Sequence, residues 1–541
     1  MVATTRKLHH FHGGVHMPGH KEASTRLPVV DAGIPGRIVI ALQQHIGAPA
    51  EPVVKVGDRV LKGQIIGRAS GYVSAPVHAS TSGTVTAIEP LPVPHPSGLN
   101  IPCVVIETDG EDRWAELQPL EGYPEAEPDL LRARIRDAGI VGLGGAAFPT
   151  AVKLTPPADA AIDTLIINGA ECEPYISCDD MLMRERPEEV IQGVVIMRRI
   201  LGVRACIVGL EDNKPEAFQA LQAAAAGTGI EVVQIPTIYP TGGEKQLIKV
   251  LTGKEVPSRG IPAQIGIVCQ NVATAAAVYR AVRFGEPLIS RIVTVTGGAV
   301  REPRNLDTLI GTPMEHLLDR CDPHLTPEDK LIMGGPMMGI PLRDGSLPTV
   351  KATNCLLAAT PGDQPNQGQT MPCIRCGECT RVCPVNLLPQ QMYWHARARE
   401  FDKIQDYNLF DCIECGCCSY VCPSHIPLVQ YYRFAKTEIW DQEREKKKAD
   451  LARRRHEFKQ MRIEREKREK AERHKAAAAR AAAKTNAGKA DAGKAAGGAK
   501  TATDADKQAA IQAAMERARA KREAAAQAGA EPKQTANDAD A

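Results

Sequence analysis

The sequence is short of aromatic residues and of long apolar runs. Phe, Tyr and Trp make up only 4% of its 541 residues, so its cores must be built from Val, Ile, Leu and Ala. No stretch of about 18 apolar residues occurs, which predicts that no helix spans a membrane. The opening MVATTRKLHHFHGG lacks the apolar segment of a secretory signal. We therefore expect a soluble, cytoplasmic chain.

A strong overall charge is also lacking, because the formal net charge is only +2. This value hides an uneven spread: residues 443–475 hold about seven more basic than acidic side chains, and the body before them is net acidic. In the tail, 436–541, strong helix formers with almost no apolar stripe predict a solvated helix over Glu443–Lys484. The low-complexity Lys484–Ala541 predicts disorder. Binding of the tail to anionic lipid stays open, whereas no nucleic-acid-reading motif is present.

Changes in composition along the chain predict a multidomain α+β protein. Residues 1–118, with Val53–Val56 among the expected strands, are typical of a barrel-sandwich-hybrid-like β domain, because VKVGDRVLKGQIIG and SAPVHASTSGTV have the pattern of its two halves. Residues 125–286 alternate helix-like and strand-like runs, which predicts an α/β domain with a mostly parallel sheet. The β-rich residues 288–345 predict a small β-grasp (SLBB-like) domain, and a cysteine module occupies 362–435.

Nine of the sixteen cysteines fall within fifty residues. The segments MPCIRCGECTRVCP and DCIECGCCSYVCP each have the C-x2-C-x2-C-x3-C-P spacing of two-cluster bacterial ferredoxins, in which the fourth cysteine of each motif serves the other cluster. Zinc would not require three evenly spaced cysteines, and Cys417 is interpreted as a bystander. We predict two [4Fe–4S] clusters, cluster 1 with the ligands Cys373, Cys376, Cys379 and Cys422, and cluster 2 with Cys383, Cys412, Cys415 and Cys418.

A second group of candidate residues lies in the α/β region. The loop IVGLGGAAFPT holds Gly142, Gly144 and Gly145, whose backbone N–H groups could cradle a phosphate; a tight turn is the alternative. The strand TLIIN ends in NGAECEP, and ligands of α/β folds bind at such strand ends, although a capped helix start is an equal alternative. The polar candidates there and in the later segments YPTGGE and QNVAT are Asn168, Glu171, Glu173, Glu244, Asn271 and Thr274.

In this order, GLGGAAFPTAVKL, NGAECEP, YPTGGE and QNVAT resemble the NADH- and FMN-binding subunit of respiratory complex I. With FHGGVHMPGHK, HASTSGTV, PMMG and the two-cluster module, residues 5–440 are closer to the RnfC (RsxC) family of the ion-translocating electron transport complex. Ala170 and Tyr175 stand where the complex I subunit has Asp and Gly. The resemblance implies non-covalent FMN, an NAD(H) site and no catalytic side chain. For FMN, the resemblance implies that Gly144, Gly145 and Lys153 hold the phosphate and that Asn168, Asn271 and Thr274 hold the ribityl chain and ring. Phe148, Glu173 and Glu244 are implied toward NAD(H), and Gly142 and Glu171 complete the cofactor-binding candidates.

The resemblance also implies a function. The chain would be a subunit of a membrane-bound complex that passes electrons between NADH and ferredoxin through FMN and two clusters, while partner subunits translocate ions. The expected partners are those membrane subunits, a ferredoxin or ferredoxin-like subunit, and NADH, with the chain peripheral on the cytoplasmic side of the bacterial inner membrane. Two alternatives stay open: a soluble flavin–iron–sulfur reductase that resembles the cobalamin reductase of bacterial microcompartments, and a non-enzymatic electron conduit.

Overall fold

The computed structural model of the chain describes residues 6–157, 160–364, 368–491, 508–509 and 511–517. The chain forms two compact units, Met1–Gln442 and Glu443–Ala541. Among the described helices, none combines the length and the apolar character needed to cross a membrane.

The N-terminal part of the first unit is all β. Its strands are β1 (Val30–Asp31), β2 (Arg37–Ala41), β3 (Glu51–Pro52), β4 (Arg59–Val60), β5 (Ile65–Arg68), β6 (Val77–His78), β7 (Gly83–Pro92) and β8 (Asn100–Thr108). The strands β2 to β8 form two antiparallel sheets, ordered β2-β8-β7-β4 and β3-β5-β6, whereas β1 joins a sheet described below. The prediction of a strand at Val53–Val56 is wrong, because the chain turns there: Val56 is 62% exposed and Gly57 has a φ of 95°.

The next part is an α/β domain. Its elements are α1 (Pro128–Asp137), α2 (Thr150–Lys153), β9 (Thr164–Gly169), α3 (Cys178–Glu185), α4 (Pro187–Leu201), β10 (Ala205–Glu211), α5 (Pro215–Ala224), β11 (Glu231–Ile235), α6 (Glu244–Thr252), β12 (Ile267–Asn271) and α7 (Val272–Arg283). The sheet is fully parallel in the order β11-β10-β9-β12, as the alternation predicted. Asn168 and Asn271 are register partners where β9 and β12 end, so both residues lie at one edge of the sheet.

A six-stranded mixed sheet follows. It contains β13 (Ser290–Thr296), β14 (Arg304–Leu309), β15 (Lys330–Met333), β16 (Ile340–Pro341) and β17 (Cys355–Ala359), with α8 (Met314–Asp319) after β14. The strand order is β1-β14-β13-β17-β15-β16. Two of these strands, β1 and β17, lie outside residues 288–345, for which the sequence predicted a separate β-grasp domain. The sheet is therefore completed by chain segments on both sides of that range.

The cysteine module is helical between its two motifs. Its helices are α9 (Glu378–Arg381), α10 (Pro389–Arg397), α11 (Phe401–Asp406), α12 (Cys417–Tyr420) and the start of α13 (Leu428–Asp491). Short 3-10 turns occupy Pro262–Ile265, Pro361–Asp363 and Leu409–Asp411. The first turns of α13 bury apolar side chains in the module, whereas almost every residue from 443 to 484 is exposed, as a solvated helix requires. The predicted disorder of Lys484–Ala541 falls largely outside the described residues. For those that are described, 484–491, 508–509 and 511–517, the prediction is wrong, because they are helical.

Candidate functional site

The glycine-rich loop, residues 142–148, lies against the start of α7. Its Leu143 N–H donates to Thr274 Oγ1 at 2.9 Å, which fixes the loop to the helix. A Cβ on Gly144 would lie 2.9 Å from Asn271 Nδ2, so this approach requires glycine. Gly144 and Gly145 are exposed, and within the described part of the chain their N–H groups donate to no protein acceptor. The loop therefore presents two adjacent donors that an anion can use.

Two asparagines hold together the segments that surround the strand ends. Asn168 Nδ2 donates to the carbonyl of Gly242 at 2.9 Å. Asn271 caps α7, with its Oδ1 accepting from the Ala273 N–H at 2.8 Å, while its Nδ2 donates to Asp179 Oδ2 at 2.6 Å. The two side chains thus order both the 239–244 segment and the glycine-rich loop around one open edge of the sheet.

The two glutamates of the acidic segment serve the backbone. The carboxylate of the buried Glu171 accepts from the Asp179 N–H at 2.9 Å and caps the start of α3. Glu173 Oε1 accepts from the N–H groups of Met337 and Met338, at 2.7 and 3.0 Å, in the PMMG segment. Burial raises the pKa of Glu173, and these two N–H donors oppose the rise. Glu173 therefore connects the strand end to a segment more than 160 residues away.

Asp179 is a functional candidate that the sequence analysis missed. Burial and the nearby carboxylate of Glu171 raise the pKa of Asp179 to about 7, against the opposing hydrogen bond from Asn271. Its position in the first turn of α3 gave no signal, because Asp is ordinary at a helix start. An ionisable group with a pKa near neutrality therefore touches one of the two asparagines of the site.

Lys153 and Glu244 form an ion pair on the same side of the sheet. Lys153 Nζ lies 2.5 Å from Glu244 Oε1, and both side chains are partly exposed. Lys153 ends α2, directly after the glycine-rich loop, and Glu244 begins α6. Phe148, in the loop itself, is partly buried. The pair therefore links α2, the helix that follows the glycine-rich loop, to the start of α6.

Eight of the module's cysteines surround two small apolar cavities. One cavity is lined by Cys373, Cys376, Cys379 and Cys422. The other is lined by Cys383, Cys412, Cys415 and Cys418, together with Cys417. The N–H of Arg375 donates to Cys373 Sγ at 3.4 Å, and that of Leu387 to Cys383 Sγ at 3.3 Å. Four thiols around a water-poor pocket with N–H···S contacts are the donor set that a [4Fe–4S] cluster requires.

The cavity of cluster 2 adjoins the strand ends. Tyr239, in the 239–244 segment, donates its hydroxyl to the carbonyl of Cys415 at 2.5 Å. Tyr239, Cys415 and Cys417 are buried in one apolar group, against which Cys172 packs. The cavity of cluster 1 has no such neighbour among these residues, and its Cys376 is exposed. The cavity predicted for cluster 2 is therefore the inner one, and the cavity predicted for cluster 1 is the outer one.

The chain matches three family models. Residues 9–111 match the RnfC barrel sandwich hybrid domain, 135–280 the Nuo51 FMN-binding domain, and 372–426 a 4Fe-4S dicluster domain. These matches confirm the predicted barrel-sandwich, FMN-binding and two-cluster domains, and with them FMN and [4Fe–4S] clusters as cofactors. The β-grasp assignment of 288–345 stays a prediction.

Two relatives of this chain share the same name. The C subunit of the ion-translocating oxidoreductase complex of Pseudomonas aeruginosa is 51% identical over 85% of this chain and 59% of that protein, and the protein of that name from Rhodobacter capsulatus is 47% identical over 72% and 75%. The chain spans about 60% of the length of the first such relatives. A solved NAD+-reducing [NiFe]-hydrogenase, in its H2-reduced state, matches 60% of this chain and 63% of its own at 20% identity with a TM-score of 0.41, too low to support any conclusion.

Proposed function

Because the chain belongs to the RnfC family, whose members are the C subunits of the ion-translocating oxidoreductase complex, we propose that it passes electrons between NADH and an iron–sulfur partner. The route runs from FMN at the sheet edge to cluster 2, then to cluster 1. The observation that carries this proposal is the contact of Tyr239 with Cys415, because it joins the flavin side of the α/β domain to a ligand of the inner cluster. The family name favours a complex subunit over a soluble reductase.

The residues at the sheet edge fit FMN. The N–H groups of Gly144 and Gly145, with Gly142 shaping the turn and the Lys153 ammonium close by, would hold the phosphate. Asn168 and Asn271 would fix the ribityl chain and ring, with Thr274 and Glu171 keeping the loop and α3 in place. When bound, FMN supplies the conversion of a two-electron hydride into single electrons, and the protein supplies placement and exclusion of water. No side chain of the chain has to transfer a proton.

The NAD(H) contacts would come from the same rim. The partly exposed Glu244 carboxylate, already held by Lys153, suits the hydroxyls of a nicotinamide ribose. Phe148 would stack on a ring of the dinucleotide. Glu173 accepts from the PMMG amides and interacts with Tyr239, so it would serve the NAD(H) site by holding this loop in place.

Electrons would leave the chain from the outer cluster. Around the exposed Cys376, Ile374 is 69% exposed and Met371 54%, which leaves an apolar collar over cluster 1. A ferredoxin or a ferredoxin-like subunit would dock there, and membrane subunits of the complex would couple the electron flow to ion translocation. In this arrangement the chain is a peripheral subunit on the cytoplasmic face of the bacterial inner membrane.

The test is an NADH titration of the anaerobically purified, iron–sulfur-reconstituted chain with bound FMN. We expect NADH to bleach first the flavin absorbance and then the cluster absorbance. Binding of FMN without any reduction by NADH would refute the NADH role, and absence of FMN binding would refute the flavin site.

Two matched variants sharpen the test of the flavin site. A Cβ on Gly145 or on Gly36 meets no protein atom within 4 Å, so neither Gly145→Ala nor Gly36→Ala should disturb the fold. Only Gly145→Ala fills the space beside the loop donors. We expect it to weaken FMN binding at least about tenfold, a loss of roughly 1.4 kcal/mol, with Gly36→Ala unchanged. Equal FMN affinity in the two variants would place the cofactor elsewhere.

A further inference from the structure

An N-terminal segment lies between the α/β domain and the cysteine module. This segment, residues 9–21 (HHFHGGVHMPGHK), is here termed the strap. The His9 N–H donates to the carbonyl of Val250 at 2.9 Å, and Val15 exchanges two backbone hydrogen bonds with Tyr239, at 2.8 and 3.0 Å. On its other side, the Gly14 N–H donates to the carbonyl of Val382 at 3.0 Å. The strap is thus hydrogen-bonded both to the α/β domain and to the cysteine module.

Two glycines bring the strap into direct backbone contact with these partners. Gly13 has a φ of 68°, and a Cβ there would lie 2.5 Å from the carbonyl carbon of Val382. Gly14 has a φ of 82°, and its Cβ would lie 2.9 Å from the carbonyl oxygen of Tyr239. Neither neighbour is a side chain that can swing away. A side chain at position 13 must therefore push the strap and the module apart.

The strap also bonds a cluster ligand and the acidic segment. His12 Nδ1 lies 3.0 Å from the carbonyl oxygen of Cys383, a ligand of cluster 2, and since a carbonyl only accepts, Nδ1 carries the hydrogen. Further along, the buried Lys21 ammonium donates to the carbonyl of Glu173 at 3.0 Å. The carbonyl of Gly19 accepts from the Tyr175 N–H at 2.7 Å. Tyr175 has a φ of 72° and stacks on His20, so the strap also holds the backbone bend at Tyr175.

We propose that the strap is a positioning element that sets the distance between FMN and cluster 2. The inference rests on the proposed electron route, and it adds that the spacing is fixed by a third segment rather than by the two domains alone. The direct contact between them, Tyr239 with Cys415, lies beside the strap's own pairing with Tyr239. Displacing the strap at Val382 therefore moves the cluster-2 ligand relative to the flavin side.

The experiment compares Gly13→Ala with Gly19→Ala in the full chain loaded with FMN and both clusters. Gly19 is the matched control, because it has no positive φ and its Cβ would meet only the Lys21 side chain, at 3.8 Å. A light flash reduces FMN with electrons from an external sacrificial donor such as EDTA, and the appearance of reduced cluster is followed optically. We expect Gly13→Ala to slow this step severalfold, because the rate of electron tunnelling falls steeply with the distance between the cofactors, and Gly19→Ala to leave it unchanged.

A second readout needs no cofactor. In the apoprotein, hydrogen–deuterium exchange at the amides of Val15 and Tyr239 should accelerate in Gly13→Ala and not in Gly19→Ala. His12→Ala should slow the flash-driven step as well, and His12→Asn should restore it, because the Asn amide keeps a donor for the Cys383 carbonyl. This pair of variants decides the proposal even if Gly13→Ala does not fold.

Three results would overturn the proposal. They are a wild-type transfer rate in Gly13→Ala despite faster exchange at Val15, loss of iron from that variant before any change in rate, and equal rates in His12→Ala and His12→Asn. The flash removes any dependence on NADH. A chain that binds FMN but does not oxidise NADH therefore refutes the proposed donor while leaving the strap result readable.

Discussion

The thiol of Cys417 lies in the cavity of cluster 2 although it is outside the ferredoxin spacing. The Cys417 thiol donates to the carbonyl of Tyr239, at 4.0 Å. The neighbouring Cys415 and burial raise the pKa of Cys417, which therefore keeps its proton. A polar S–H group beside the ligand sulfurs stabilises the more negative, reduced cluster, so we expect this residue to act on the potential and not on cluster assembly.

We predict that Cys417→Ala retains both clusters and lowers the potential of cluster 2. A polar contact worth about 1.4 kcal/mol corresponds to roughly 60 mV for one electron. The measurement is a redox titration followed by electron paramagnetic resonance, with iron analysis. Cys418→Ala is the comparison, because loss of a ligand should remove the cluster. A Cys417→Ala chain that lacks four irons would make Cys417 a ligand.

Asp179 gives a prediction on pH. Its pKa is about 7 in the folded chain and near 4 when unfolded, so between these values the folded state holds a proton that the unfolded state has lost. Stability from this group is present at low pH and declines as pH rises to about 7.

Asp179→Asn removes this decline and keeps an oxygen acceptor for Asn271. Compared with wild type, the apoprotein variant should gain about 1 kcal/mol at pH 5 and about 4 kcal/mol at pH 8, with the gain levelling above pH 7. Thermal unfolding at several pH values measures this. A gain that is the same at every pH would mean that Asp179 does not titrate in the native state.

Among the elements, buried strands were predicted well and long-range connections were not. TLIIN and its neighbours were recognised because parallel strands covered on both faces are continuously apolar. The Val53–Val56 prediction failed because a valine-rich run fits both a strand and the turn that the structure shows. The contact of Glu173 with Met337 joins residues far apart in the chain, so no local pattern encodes it. The residues of the candidate site were therefore predictable from the sequence. It was not predictable which of them hydrogen-bond to the backbone and which are left to contact a cofactor.

Helices α4 and α7 cross in close contact, and α7 begins at the candidate site. A Cβ on Gly193 would lie 1.8 Å from the carbonyl oxygen of Ala275, so the two helices touch backbone to backbone. We predict that Gly193→Ala destabilises the chain by about 1–3 kcal/mol through overpacking. Because α7 begins beside Asn271, the displaced helix should also weaken FMN binding.

The measurements are thermal unfolding of the apoprotein and the FMN dissociation constant, with Gly36→Ala as the control that meets open space. If Gly193→Ala is destabilised but binds FMN with unchanged affinity, the helix crossing does not contribute to the flavin site.

At the scale of the whole molecule, the candidate sites all lie in the first unit, Met1–Gln442. The first turns of α13 belong to its core, because Leu428, Tyr432 and Ile439 are buried there. Tyr432 also donates to the carbonyl of Pro389 at 2.7 Å. The cysteine module therefore depends on the start of this helix and not on its exposed continuation.

We predict that a chain ending after Gln442 keeps FMN and about eight irons, and that one ending after Pro427 loses its clusters. The shorter chain lacks several buried apolar side chains, each worth about 1.5–3 kcal/mol. Iron, sulfide and flavin analysis after anaerobic reconstitution measures both. Equal cluster content in the two chains would contradict the role of the first turns of α13.

Cys376 lies at the surface, and the same exposure that opens cluster 1 to a partner opens it to dioxygen. Cluster 2 is shielded, because Cys383, Cys415 and Cys418 are buried. In air the outer cluster should decay first, leaving FMN and the inner cluster intact but without an outlet. Oxidative damage would then stop electron delivery to the partner at cluster 1, before it harms the rest of the chain.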